Sequence, residues 1–188
     1  MMGSTLNLSN QLLIAMPGMA DPNFANTVTL VCEHTEEGAL GLIINQLLET
    51  QLGEVLSQMG LNTDSAKLAS SPIYHGGPVE QNRGFVLHQS SSTWPSELAV
   101  SDTLALSSSQ EILKAIAAGN GPDQFLVALG YAGWGPGQLE RELLQNTWLT
   151  LACDLEILFE TPASQRLQVA AARLGVNLQL LSPDVGHG

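Results

Sequence analysis

His34 and Glu36 have the H-x-E spacing of a zinc deaminase, in which the imidazole holds the metal and the carboxylate carries protons. The other half of such a site is a P-C-x-x-C segment. Cys153 follows Ala152 and no second cysteine comes after it, so the deaminase reading fails. Cys32 and His34, at i and i+2, would share one face of a strand and could supply half of a tetrahedral metal site. A partly buried, hydrogen-bonded pair explains the same spacing, and we prefer it; no metal ligand set and no cofactor are assigned.

Residues 74–78, YHGGP, put an imidazole beside adjacent glycines. His75 could act as a base near neutral pH, with Gly76 and Gly77 letting a substrate approach the backbone. No nucleophile accompanies it, because the chain has neither G-x-S-x-G nor H-E-x-x-H. No catalytic residue is assigned. Residues 130–142, GYAGWGPGQLERE, lead a strand through glycines into a helix start, a place where anions bind. A P-loop needs a lysine, and Gly130 to Gly137 contains none; the third glycine of a dinucleotide fingerprint falls on Gln138. Two readings remain: a sharp corner that needs its glycines for backbone freedom, or a pocket walled by Tyr131, Gly133 and Trp134.

Short apolar runs alternating with amphipathic stretches must position these groups, which predicts a mixed α/β domain over residues 1–188 with no internal repeat. Leu12 to Met16 reads as a buried strand. Residues 27–45 read as a hairpin turning at Thr35 to Gly38, where Gly38 supplies a positive φ. Residues 51–59 read as a helix and 61–71 as a loop. PIYHGGPV and GFVLHQ read as strands joined by a turn over Val79 to Arg83, SSTWPSE as a loop and TLALS as a strand. A capping box at Ser108/Glu111 or Ser107/Gln110 opens a helix that Gly119 closes. QFLVALGYA, apolar almost throughout, suits a central strand covered on both faces. A helix over 138–145, the strand TWLTLA, a helix opened by Thr161 and Pro162, and a last strand NLQLL complete the reading.

Composition limits the partners. The formal net charge is −12, from 18 acidic against 6 scattered basic residues, so there is no basic patch in sequence to neutralise phosphates or anionic lipid. Direct nucleic-acid binding and membrane binding are both disfavoured. Cys32 and Cys153, far apart in apolar surroundings, read as buried free thiols, which suits a cytoplasmic setting. The opening residues lack a basic n-region, and Pro17 and Gly18 cut the apolar run, against a signal peptide.

Taken together, LLIAMPGMADPNF, TVTLVCEHTEEGALGLIINQ, YHGGPVEQNRGFVLH, GYAGWGPGQLERELLQNTWL and LGVNLQLLSPDVGHG resemble the bacterial YqgE/AlgH family, in order over residues 6–188. The resemblance implies a coiled, partly split β-sheet flanked by helices. It implies no established enzymatic activity or cofactor, and a link in one branch to transcriptional control of exopolysaccharide production. The expectation is therefore a binding or regulatory module that contacts a protein or small molecule through His75, Gly76, Gly77, Tyr131, Gly133 and Trp134. The alternative is an enzyme in which His34, His75 or His88 works with a carboxylate in a cleft.

Overall fold

The apolar run at residues 125–134 forms the strand around which the other strands are arranged. In the computed structural model, which describes residues 7–90, 94–95 and 97–181, this strand is β9 (Phe125–Trp134). Before it come β1 (Gln11–Ala15), β2 (Val28–Thr35), β3 (Gly38–Ile43), β4 (Leu47–Gln51), β5 (Pro72–His75), β6 (Val79–Gln89), β7 (Glu97–Ala99) and β8 (Leu104–Ser107); β10 (Trp148–Ala152) follows. The sheet runs β10-β1-β2-β3-β9-β6-β8-β7, with β5 also on β9 and β4 on β5. All pairings are antiparallel except β5 with β9.

The sheet is partly split because β9 exposes a single edge to two neighbours. Along that edge β5 pairs with Val127 to Leu129 and β3 with Ala132 to Trp134, while β6 takes the opposite edge. Gly130, at φ +80°, sits between the two registers. This conformation interrupts the alternation of side chains, as a bulge does. Leu126 and Ala128 face one core and Val127 and Leu129 a second; beyond Gly130, Tyr131 joins the first face and Ala132 and Trp134 enter a third cluster.

The helices cover these clusters. α5 (Leu155–Phe159) and α6 (Arg166–Arg173) close the large core built on Leu12, Leu30, Leu42 and Leu87. α1 (Leu52–Gln58) and α3 (Gln110–Ala117) bury Leu52, Leu56, Ile112 and Ile116 against Val127. α4 (Gln138–Leu144) lays Leu139 over Leu13, Val31 and the Trp134 and Trp148 indoles. α2 (Ala66–Ala69) and α7 (Leu178–Leu181) are short and contribute no buried residue.

The hairpin forms as expected, with Thr35 opposite Gly38 at φ +137°, and so do the strands at 11–15, 104–107 and 148–152. Other expectations are corrected. NLQLL is helical: Asn177 accepts from the Gln179 amide, and Gly175 at φ +71° ends α6 just before it. The α3 cap is Ser109, whose hydroxyl accepts from the Ile112 amide, one residue beyond the predicted box. The loop at 61–71 contains α2, capped by Ser65. β5 and β6 do not form a hairpin about residues 79–83, since each pairs with a different edge of β9. Within the predicted loop SSTWPSE, β7 begins at Glu97; residues 91–93 and 96, and the tail 182–188, lie outside the described residues.

Candidate functional site

Because β5 and β6 flank β9 on opposite edges, residues 76–78 must carry the chain over the β9 backbone. This crossing accounts for the glycines of both candidate stretches. A Cβ on Gly76 would run into the Gly130 carbonyl, one on Gly77 into the Tyr131 carbonyl, and one on Gly130 into the Gly77 carbonyl. The Gly76 amide donates to Leu129 O at 2.9 Å and its carbonyl accepts from Ile43 N at 2.8 Å, so the crossing is tied to both halves of the sheet. Gly76, Gly77 and Gly130 thus meet as backbone against backbone. His75 is half-buried at the end of β5, where its amide donates to Gln46 O.

Tyr131 and Trp134 separate. The Tyr131 ring packs edge-on against Phe85 at 5.8 Å on the face of the large core. The Trp134 indole lies on the other face, against Phe24 at 6.0 Å and Trp148 at 6.2 Å, over the space that a side chain on Gly41 would fill. A shallow cleft of about 430 Å³ beside the β2–β3 hairpin has Tyr131, Gly133 and Trp134 in its wall.

A larger cleft, about 600 Å³, opens where the indoles meet. Its walls are the loop from Met16 to Phe24, the end of β9, one side of α4 and the turn into β10. Glu142 organises it: Oε1 accepts from Trp134 Nε1 at 3.0 Å and Trp148 Nε1 at 2.9 Å, and Oε2 from Gln138 Nε2 at 2.9 Å. Gln138 in turn accepts from the Gly135 amide at 3.0 Å. The corner glycines therefore aim α4, and α4 delivers the carboxylate that fixes both rings. The helix start is met by the chain's own groups, since Gly137 at φ +72° caps it and Glu140 stands in its first turn, where a carboxylate offsets the dipole.

Among the described residues two imidazole–carboxylate pairs occur. His34 Nδ1 accepts from the Leu8 amide at 3.0 Å, which leaves the proton on Nε2, 3.2 Å from Glu140 Oε1. His88, fully buried, donates from Nδ1 to Gln89 O at 2.8 Å, and its Nε2 lies 3.2 Å from Glu97 Oε1. Neither ring lines the clefts described above. Cys32 and His34 do not share a face: the register slips between Val31 and Glu33, so Cys32 enters the large core while His34 faces α4. Neither the half-site that the spacing allowed nor the preferred Cys32–His34 pair forms, for that reason, and no group of three or more metal-binding side chains occurs among the described residues. Both thiols are free; burial raises Cys153 to about 12 and pushes Cys32 up strongly, with Cys153 and Glu33 adding to the effect.

The cleft-forming residues that sequence reading missed are Phe24, Trp148 and Glu142, distant in sequence and joined only by the sheet. The signal for Glu142 was a carboxylate at i+4 from Gln138, which by itself marks only a helix face. Arg166 was also missed. It is 3% exposed, donates to the carbonyls of Thr161 and Leu158 at 3.0 and 2.7 Å and to Ile44 O, and stacks over Tyr74.

Comparison with known proteins agrees with this architecture. The AlgH-like family model matches residues 12–179. A UPF0301 protein of Thioalkalivibrio sulfidiphilus is 53% identical over 186 residues, covering 99% of this chain and 100% of that protein. The solution structure of the AlgH protein from Pseudomonas aeruginosa superposes with a TM-score of 0.80 at 52% identity, covering 97% of each chain. A crystal structure from Corynebacterium diphtheriae, at 21% identity and a TM-score of 0.73 over 96% of this chain and 94% of that one, shares the fold. With the split sheet in place and the family model spanning nearly all of it, the chain belongs to the AlgH-like family.

Proposed function

We propose that the chain is a non-catalytic binding module of the cytoplasm whose ligand or partner enters the cleft between α4, the Met16–Phe24 loop and the end of β9. The observation that carries this reading is the Glu142 network, which holds two indoles at the cleft wall. Rigid aromatic walls with a few fixed polar groups are what small-molecule and anchor-residue sites have in common. This revises the expected surface: Gly133 and Trp134 stay in it, whereas Gly76 and Gly77 serve the strand crossing and Tyr131 the large core. Any influence on transcription would pass through this contact, since a net charge of −12 opposes direct binding to DNA. No helix among the described residues is long and apolar enough to cross a membrane. The histidine–carboxylate enzyme reading gains no support from the buried positions of His34 and His88.

A thermal-shift screen against metabolites, nucleotides and sugar phosphates, run on wild type and on Gln145→Trp, tests the proposal. Gln145 is exposed in the cleft wall, so the indole fills the space with little cost to folding. A ligand at 100 times its dissociation constant should raise Tm by roughly 5 to 11 °C. That shift should vanish in the variant. A ligand that shifts both proteins equally would place binding elsewhere and end the proposal.

A further inference from the structure

Tyr74 is a core residue whose polar end is left without a partner. It is 4% exposed, its ring belongs to the large core, and the Arg166 guanidinium lies over that ring at 5.1 Å. A phenol buried this deeply ordinarily has its hydroxyl bonded within the protein. Here no described residue bonds the hydroxyl, and the oxygen keeps contact with solvent. That contact lies in a cleft of about 450 Å³, which shares no lining residue with the one beside α4. β5 carries Tyr74 to it next to Ala128 of β9, α2 lines it with Lys67 and Leu68, and the start of β9 and Phe159 of α5 close it.

The polar groups of this cleft select a charge. The Ser71 hydroxyl donates to the Lys67 carbonyl, whereas the Lys67 ammonium, like the Tyr74 hydroxyl, has no partner among the described residues. Asp123 is the one carboxylate among the lining residues, and it forms no ion pair with Lys67. Behind the ring, Arg166 donates to carbonyls alone, so its charge is held away from water without being cancelled. One ammonium and one guanidinium against one carboxylate leave a single net positive charge around the hydroxyl. A low-dielectric surround carries that charge to the phenol.

A carboxylate set against the Tyr74 hydroxyl accepts a charge-assisted bond from it, and the exposed, flexible Lys67 stem can bring a second donor to the same group. Leu68, Phe125, Leu126 and Phe159 are each half-buried, so they offer apolar surface to the rest of such a molecule. A dianion such as a phosphate ester would leave one charge uncompensated near Asp123. We propose that this cleft binds a monocarboxylate with an apolar body, held by Tyr74 Oη–H and Lys67 Nζ–H. The site is additional to the cleft beside α4 and stands whether or not that one is occupied.

The test is a ¹H–¹⁵N titration of the full chain with hexanoate. The backbone amides of 67–71 and 123–127 should move to saturation, while the Trp134 and Trp148 indole N–H signals of the other cleft stay in place. Hexanamide keeps the shape and loses the charge, and adipate has to push a second carboxylate against apolar walls; each should bind about tenfold more weakly or worse. Tyr74→Phe is the decisive variant. The hydroxyl bonds nothing in the protein, so its loss should leave Tm within about 2 °C of wild type and weaken hexanoate about tenfold. Lys67→Gln, at the surface, should weaken it about threefold or more. Should Tyr74→Phe fail to fold, Lys67→Gln and the hexanamide comparison decide. Equal affinity of hexanoate and either comparator, equal affinity of wild type and Tyr74→Phe, or stationary amides throughout overturns the inference. Binding that survives in Gln145→Trp and weakens in Tyr74→Phe belongs to this cleft and is scored apart from the ligands that test the cleft beside α4, so the two readings succeed or fail separately.

Discussion

At the scale of single residues, the glycines differ in why they are glycine, and substitution should separate the reasons. Gly77 lacks room, because a Cβ there meets the Tyr131 carbonyl and the Ala132 amide, backbone atoms that cannot move aside alone. Gly77→Ala should cost about 3 kcal/mol or more, or prevent folding. Gly60 has φ +75° and open space around it, so Gly60→Ala should cost only about 1 to 2 kcal/mol, the strain of the left-handed region. Chemical denaturation of both variants checks the difference, and equal losses would contradict the crossing geometry. The thiols make a second residue-scale case. With the Cys153 pKa raised from 9.0 to about 12, the folded state resists ionisation that the unfolded chain allows. The resulting stabilisation is complete below pH 9 and is lost as the pH climbs towards 12. The stability difference between wild type and Cys153→Ala should therefore shrink across that window, and at pH 8 iodoacetamide should label Cys153 about a thousandfold more slowly than a free cysteine.

At the scale of elements, legibility in the sequence followed the strength of the local signal. The β2–β3 hairpin carries β-branched residues, a two-sided pattern and a turn glycine, and it formed as read. β9 announced itself by apolar length alone. β4 was hidden because its burial is only partial and runs straight into α1. α7 misled because four apolar residues in a row fit either period. The bulges at Cys32 and Gly130 had no sequence signature: the first put Cys32 and His34 on opposite faces, so the half-site their spacing allowed does not form, and the second put the Tyr131 and Trp134 rings in different core clusters, although both still border the shallow cleft beside the hairpin. The cleft itself lay beyond reach, since Phe24, Glu142 and Trp148 meet only through the order of strands. The helix cap provides a direct test at this scale. Ser109→Ala should cost about 1 kcal/mol by orphaning the Ile112 amide, whereas Ser108→Ala, whose hydroxyl only accepts at 3.4 Å from Arg83 at the surface, should stay within about 0.5 kcal/mol. Reversed magnitudes in urea melts would restore the sequence-based capping box.

At the scale of the whole molecule, the split in the sheet raises the question of how many units unfold. β3 and β5 stand end to end on one edge of β9, and three core clusters are distributed over the two halves, an arrangement with the outward look of two domains. The backbone argues for one. β9 contributes to all three clusters, pairs with both halves, and is crossed by residues 76–78, whose hydrogen bonds reach Leu129 on one side and Ile43 on the other. Separating the halves would require breaking the central strand and exposing Gly130 and its neighbours to water, a loss comparable with global unfolding. Thermal unfolding followed by tryptophan fluorescence, which reports on the α4 side through Trp134 and Trp148 and on the α1–α3 cluster through Trp94, should therefore give a single transition that coincides with far-ultraviolet circular dichroism from the whole chain. Hydrogen exchange should be slowest for the β9 amides on both sides of Gly130 and should report one common opening free energy. Transitions several degrees apart, or protection that differs between 125–129 and 132–134, would mean that the glycine junction is a hinge between two units rather than the lock that holds one together.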